Sequence, residues 1–124
     1  FCSSLRTVTL QEGVTRIDDY AFRFCYRLSR INFPEGLKEI GARAFYPSHL
    51  CSVIFPESLE EIDCEAFYYN RALRRIKFKS VVKIEQAAFA CTPLLKIIQK
   101  PDEMAIADEA FVQDTTLDKY GFWD

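Results

Sequence analysis

The sequence is poor in the features that announce chemistry. Its one histidine, His49, has no second ligand at helical distance, and the five cysteines at 2, 25, 51, 64 and 91 form neither a Cys-x-x-C pair nor a zinc-ligand spacing. An odd cysteine count argues against a closed disulfide framework and favours buried thiols acting as small hydrophobes. There is no Gly-x-Gly-x-x-Gly or Walker sequence, no Asn-x-Ser/Thr sequon, and no loop of carboxylates with EF-hand spacing. Charge of one sign is also lacking. With 16 basic and 18 acidic residues the net charge is −2, so overall balance predicts no nucleic-acid or membrane-surface role. No window approaches the roughly 18 consecutive apolar residues of a membrane-spanning helix, so no membrane insertion is expected, and the first residues lack the basic flank and apolar run of a signal peptide.

What the sequence does contain is repetition. The phrase Ile-x-x-x-Ala-Phe occurs at Ile17–Phe22, Ile40–Phe45, Ile62–Phe67, Ile84–Phe89 and Ile106–Phe111, with phenylalanines 23, 22, 22 and 22 residues apart. A period this regular is the mark of stacked supersecondary units. The hydrophobic fraction of 49%, with 15% aromatic, supplies a core and excludes the disordered class. The 124 residues read as a single domain of coils 1–22, 23–45, 46–67, 68–89 and 90–111 with a partial coil at 112–124. Because both ends fall inside a repeat, the chain reads as a stretch of a longer repeat protein, whose uncapped coils favour end-to-end self-association.

A second phrase precedes each of the first: Leu5-Val8-Leu10, Leu28-Ile31-Phe33, Leu50-Val53-Phe55 and Leu73-Ile76-Phe78. Its alternation of apolar and polar residues predicts a short strand with one face inward. A turn follows, with Pro34 and Pro56 ending the ladder in two coils, and then an apolar residue (Val14, Leu37, Leu59, Val81) opens a second extended side leading to the motif Ile. Asp18-Asp19, Gly41-Ala42, Asp63-Cys64 and Glu85-Gln86 suit the bend before Ala-Phe. The motif phenylalanines should stack as an internal ladder at about 4.8 Å. Three residues past each Phe stand Cys25, Ser48, Asn70 and Thr92, small groups able to satisfy backbone atoms at the corner. Cys2 and Cys25 would be stacked neighbours within reach of a disulfide, with the torsion hard to reach. The fifth coil, Leu94-Leu95-Lys96-Ile97-Ile98-Gln99, offers two registers, leaving open whether Ile97 or Ile98 points inward.

Joined, the two phrases give Leu28-x-x-Ile31-x-Phe33-Pro34-x-x-Leu37-x-x-Ile40-Gly41-x-x-Ala44-Phe45. This resembles the BspA-type leucine-rich repeat family, with units of the form Leu-x-x-Ile-x-Leu-Pro-x-x-Leu-x-x-Ile-Gly-x-x-Ala-Phe-x-x-Cys. The resemblance covers nearly the whole chain, although Gly41 is the one glycine after a motif Ile and Cys25 the one cysteine among the inner corners. It implies a leucine-rich-repeat solenoid of right-handed coils of about 22–23 residues, mostly β with little helix, with a parallel sheet on the concave side and short strands and turns on the convex side. It also implies a non-enzymatic role in recognition, as in surface or secreted proteins that adhere to host proteins, matrix or other cells.

The residues themselves point to no enzyme, cofactor or metal. Ser80-Val-Val-Lys83 matches a Ser-x-x-Lys acylase pattern, but it falls at a turn without the companion motifs. The outward strand positions are the informative ones. Arg30, Asn32, Ile54, Arg75, Lys77 and Lys96 form a mildly basic face, while acids such as Glu35, Glu39, Glu57, Glu60, Glu61 and Asp63 gather on the turn and second side. Such a face could dock an acidic protein segment or a sulfated glycan. Its alternative reading is a solvated edge kept basic against sheet growth, in coils that act as a spacer within a longer solenoid.

Overall fold

The structure, a computed structural model, describes residues 4–104 and 108–111. Among the described residues, nine short strands alternate between two sides of a coiling chain. On the first side lie β1 (Thr7–Thr9), β3 (Arg30–Asn32), β5 (Ser52–Ile54), β7 (Arg75–Lys77) and β9 (Lys96–Gln99). On the second lie β2 (Arg16–Ile17), β4 (Glu39–Ile40), β6 (Glu61–Ile62) and β8 (Lys83–Ile84). Every pairing is parallel and joins strands one coil apart. No α-helix occurs among the described residues; Asp108–Phe111 form a single 3-10 turn. The chain is a parallel β-solenoid, as the repeat predicts.

A third ladder runs where no strand is drawn. The amides of Phe22, Phe45, Phe67 and Phe89 each donate to the carbonyl of the following coil's alanine (Ala44, Ala66, Ala88, Ala110) at 2.8 Å. Those alanines are fully buried, which is why the position takes a residue without bulk. Behind the ladder the rings stack: Phe22, Phe45, Phe67, Phe89 and Phe111 follow one another at centroid distances of 5.2, 5.1, 5.1 and 5.1 Å, with nearly parallel planes. A second column, Phe33–Phe55–Phe78, stacks at 5.7 and 4.9 Å. The two columns meet edge to face, as Phe33 on Phe45 and Phe55 on Phe67, a geometry favoured by the ring quadrupole.

The bend before each Ala-Phe is made differently from the expectation. The left-handed residue lies just after the Asp-Asp, Gly-Ala, Asp-Cys and Glu-Gln pairs, at Tyr20, Arg43, Glu65 and Ala87, with φ between 54° and 62°. For a non-glycine residue this costs about 1–2 kcal/mol. Each of the first three is held by donating its amide to the next coil, as Tyr20 to Ala42 at 3.0 Å, Arg43 to Cys64 at 3.2 Å and Glu65 to Gln86 at 3.3 Å. Gly41 has a different reason to be glycine. A Cβ there would stand 2.6 Å from the amide nitrogen of Asp19 and 2.8 Å from the carbonyl carbon of Asp18. Gly41→Ala should therefore force the first two coils apart and lower stability by about 1–3 kcal/mol, read as a reduced midpoint of urea unfolding.

Three local expectations are corrected or resolved. In the fourth coil Val82 is buried and Val81 exposed, the reverse of the expected order, because Phe78 and Val81 enclose two residues where Phe55 and Leu59 enclose three. In the fifth, Ile97 pairs with Ile76 and faces inward, while Ile98 is expelled by a bulge between strand positions opposite Ile76 and Lys77. The cysteines are not uniformly buried thiols. Cys25 is buried and disulfide-bonded. Cys51, Cys64 and Cys91 carry thiols, and only Cys91 of the three is buried. Cys2, the expected stacked neighbour of Cys25, lies outside the described residues, as does the partial coil at 112–124.

Candidate functional site

The strand side carries the outward positions, and its sheet is not continuous. β1 pairs with β3, and β5, β7 and β9 pair together, but β3 and β5 are not joined. The cause is a shortened corner. Four residues separate Phe45 from Leu50, where five separate Phe22 from Leu28 and Phe67 from Leu73. Two residues past the motif Phe, the full-length corners place a left-handed residue: Phe24, Tyr69 and Cys91, with φ of 61°, 61° and 56°. The short corner has Pro47 there, whose ring locks φ near −65° and forbids that bend.

The interruption opens a groove of about 350 Å³ between the two sheets. Ile31, Asn32 and Phe33 line it from the β3 side, Ser52, Ile54, Phe55 and Pro56 from the β5 side, with Glu35 and Lys79 at its margin. Ile54 is 52% exposed, a large apolar side chain held outward by the strand alternation. Of the six residues expected on this face, Ile54, Arg75, Lys77 and Lys96 share one sheet. Arg75 lies opposite Ser52 on one side and Lys96 on the other, and Lys77 lies opposite Ile54. Arg30 and Asn32 belong to the other sheet, across the groove. Asn32 also serves the fold: its side chain accepts from the Leu10 amide at 2.9 Å and donates to the Leu10 carbonyl at 3.3 Å. Ile31, Phe33 and Phe55 read from sequence as strand-phrase positions, but neither they nor Ser52 and Lys79 were expected to line a groove. The shortened Phe45-to-Leu50 interval is the signal that marks them.

Cations on the two sides differ in their company. On the second side Arg16 donates to Glu39 at 2.6 Å, Asp18 at 2.8 Å and Asp19 at 3.2 Å. Those bonds, Glu39 first, hold its guanidinium protonated beyond the usual arginine range. Lys83 pairs with Glu85 at 3.1 Å, and Arg43 with Glu65 at 3.2 Å. Burial raises the Glu61 carboxyl, Lys83 opposing and Glu39, Glu85 and Asp63 adding to it. Burial likewise pushes the Cys64 thiol up, with Asp63 next in effect, so it is held as thiol and not as a nucleophilic thiolate. On the strand side, Arg30, Arg75, Lys77 and Lys96 make no ion pair among the described residues. The same side therefore offers cations without an ion-pair partner, next to a groove of mixed polar and apolar lining.

A family model described as BspA type leucine rich repeat region matches residues 1–118, in six copies. Neither a curated protein nor a solved structure matches the chain.

Proposed function

Since the chain belongs to the BspA-type leucine-rich repeat family, we propose that it is a non-catalytic recognition module whose strand side binds an acidic protein segment. The carrying observation is the contrast in charge pairing: Arg16, Arg43 and Lys83 are matched by carboxylates, whereas Arg30, Arg75, Lys77 and Lys96 are not. Lys38 apart, the cations of the second side are paired while these four strand-side cations are not, and a face of unmatched cations is ready for an anionic partner. The exposed Ile54 and Ile98, on strands flanking Lys77, favour a polypeptide with apolar side chains over a purely sulfated chain. A surface or secreted setting with a role in adhesion is the natural context for such a module. The disulfide at Cys25 fits it, because such bonds persist in oxidising compartments.

The test uses a labelled acidic peptide rich in Glu and Leu, with a Lys and Leu counterpart as control, and fluorescence anisotropy as readout. The double variant Arg75→Glu with Lys77→Glu should weaken binding of the acidic peptide at least about tenfold, with an unchanged circular dichroism spectrum. Equal binding of the two peptides, or unaltered affinity in the variant, removes this face as a binding surface and leaves the coils as a spacer.

A further inference from the structure

The shortened corner has a second consequence, on the edge where the chain enters its strands. In full-length corners two residues stand between the small corner residue and the strand phrase: Tyr26 and Arg27, Arg71 and Ala72, Pro93 and Leu94. Each of these corners is closed by an amide reaching back three residues, Leu28 to Cys25 at 3.0 Å, Leu73 to Asn70 at 3.1 Å and Leu95 to Thr92 at 3.1 Å. Between Ser48 and Leu50 there is only His49, and its amide instead donates to the Leu28 carbonyl of the neighbouring coil at 2.8 Å. The missing residue leaves a notch. A cleft of about 340 Å³ opens there, lined by Arg6, Tyr26, Arg27, Ser29 and His49.

We propose that this cleft binds an anionic sugar residue, one bearing a sulfate or a carboxylate. Two arginines line it, and neither Arg6 nor Arg27 makes an ion pair among the described residues. Arginine presents a planar fork of donors that matches such oxyanions. The backbone beneath is fixed, because the Arg6 carbonyl accepts from the amides of Ser29 at 3.0 Å and Arg30 at 3.2 Å. The aromatic component is equally well placed. Tyr26 is 51% exposed, yet its ring is held by stacking on Phe24 at 5.8 Å. Phe24 is in turn covered by the Arg23 guanidinium at 4.5 Å and packs on Tyr46 at 6.2 Å. A pre-positioned, half-exposed ring suits the apolar face of a pyranose; the Ser29 hydroxyl, which donates to the Arg6 carbonyl at 3.4 Å, can accept from a sugar hydroxyl, and the His49 imidazole can exchange hydrogen bonds with one. Size points the same way. The cleft lies at the lower end of the roughly 300–1,000 Å³ of small-molecule pockets, larger than a bare oxyanion requires. It stands apart from the strand-side groove, sharing no lining residue with it, so either site can fail alone.

The experiment titrates the intact chain with N-acetylglucosamine 6-sulfate, glucuronic acid, N-acetylglucosamine and inorganic sulfate, following amide and ring resonances by NMR. The two anionic sugars should shift Tyr26, Ser29 and His49. Arg6→Ala and Arg27→Ala should each lower their affinity roughly tenfold. Tyr26→Ala should weaken the sugars while leaving the weaker inorganic sulfate binding in place, and Lys38→Ala, on the far side of the coil, should change nothing. Binding of the neutral sugar as tightly as its sulfate ester overturns the anion requirement. Inorganic sulfate binding as tightly as the sulfated sugar overturns the sugar requirement, and survival of binding in an Arg6→Ala/Arg27→Ala double variant overturns the site.

Discussion

Phe67→Ala should lower the free energy of unfolding by about 3–5 kcal/mol, as large a loss as any truncation in the ring columns. Phe67 is fully buried, with Phe45 stacked 5.1 Å on one side, Phe89 5.1 Å on the other and Phe55 edge-on at 5.7 Å. Truncation removes the transfer free energy of the ring and opens a cavity between two coils that cannot collapse, because the Phe67 amide and the Ala88 carbonyl keep the backbones in register at 2.8 Å. Phe22→Ala is the internal comparison. Phe22 is only partly buried and, among the described rings, stacks on Phe45 alone, so its loss should be clearly smaller. Urea denaturation of both variants, followed by circular dichroism, checks the order. In a stack each coil contacts only its neighbours, so a destabilised inner interface should also broaden the transition. An equal loss at the two positions would mean that the column is not the element holding the coils together.

Asn70→Ala should cost about 2–3 kcal/mol, although the side chain is polar and modest in size. Asn70 is wholly buried at the corner that opens the fourth coil. Its amide donates to the Phe45 carbonyl at 2.7 Å and to the Tyr68 carbonyl at 3.4 Å, and its oxygen accepts from the Ser48 hydroxyl. The corner is where the chain passes between coils and where backbone groups have no ladder partner. Alanine leaves the Phe45 carbonyl and the Ser48 hydroxyl buried without that donor and acceptor, and the cost is the desolvation of those groups. Thr92, one coil on, instead bonds a carbonyl of its own corner, that of Phe89 at 2.6 Å. Replacing Asn70 by Ser should recover part of the loss, as a hydroxyl is what Ser48 places at the equivalent position. A neutral Asn70→Ala in thermal and urea unfolding would show that water satisfies the corner.

Much of this architecture is legible in the chain. Ile17, Ile40, Ile62 and Ile84 recur with their Ala-Phe partners, and the alternation around Val8, Ile31, Val53 and Ile76 fixes which strand residues turn inward. These are local properties: a period of two selects a face, and a repeat of 22 or 23 residues stacks like on like. Residues three past the motif Phe also behave as their chemistry suggests, with Asn70 and Thr92 bonded to backbone carbonyls. The outward set was legible as a set, but its division was not. Nothing in the order of residues says that Arg30 and Asn32 stand on one side of a break and Ile54, Arg75, Lys77 and Lys96 on the other.

The sequence by itself therefore determined the solenoid, its phenylalanine column and the inward face of each strand. Tertiary structure alone decided where the sheet parts, which cations find carboxylates and where clefts open. The reason is that burial follows from periodicity within one coil, whereas pairing depends on the offset between coils, and one residue changes that offset. Pro47 and the absent residue before Leu50 break the ladder between β3 and β5, open the groove at Ile54 on one side and bring Arg6, Tyr26, Arg27 and His49 around a cleft on the other.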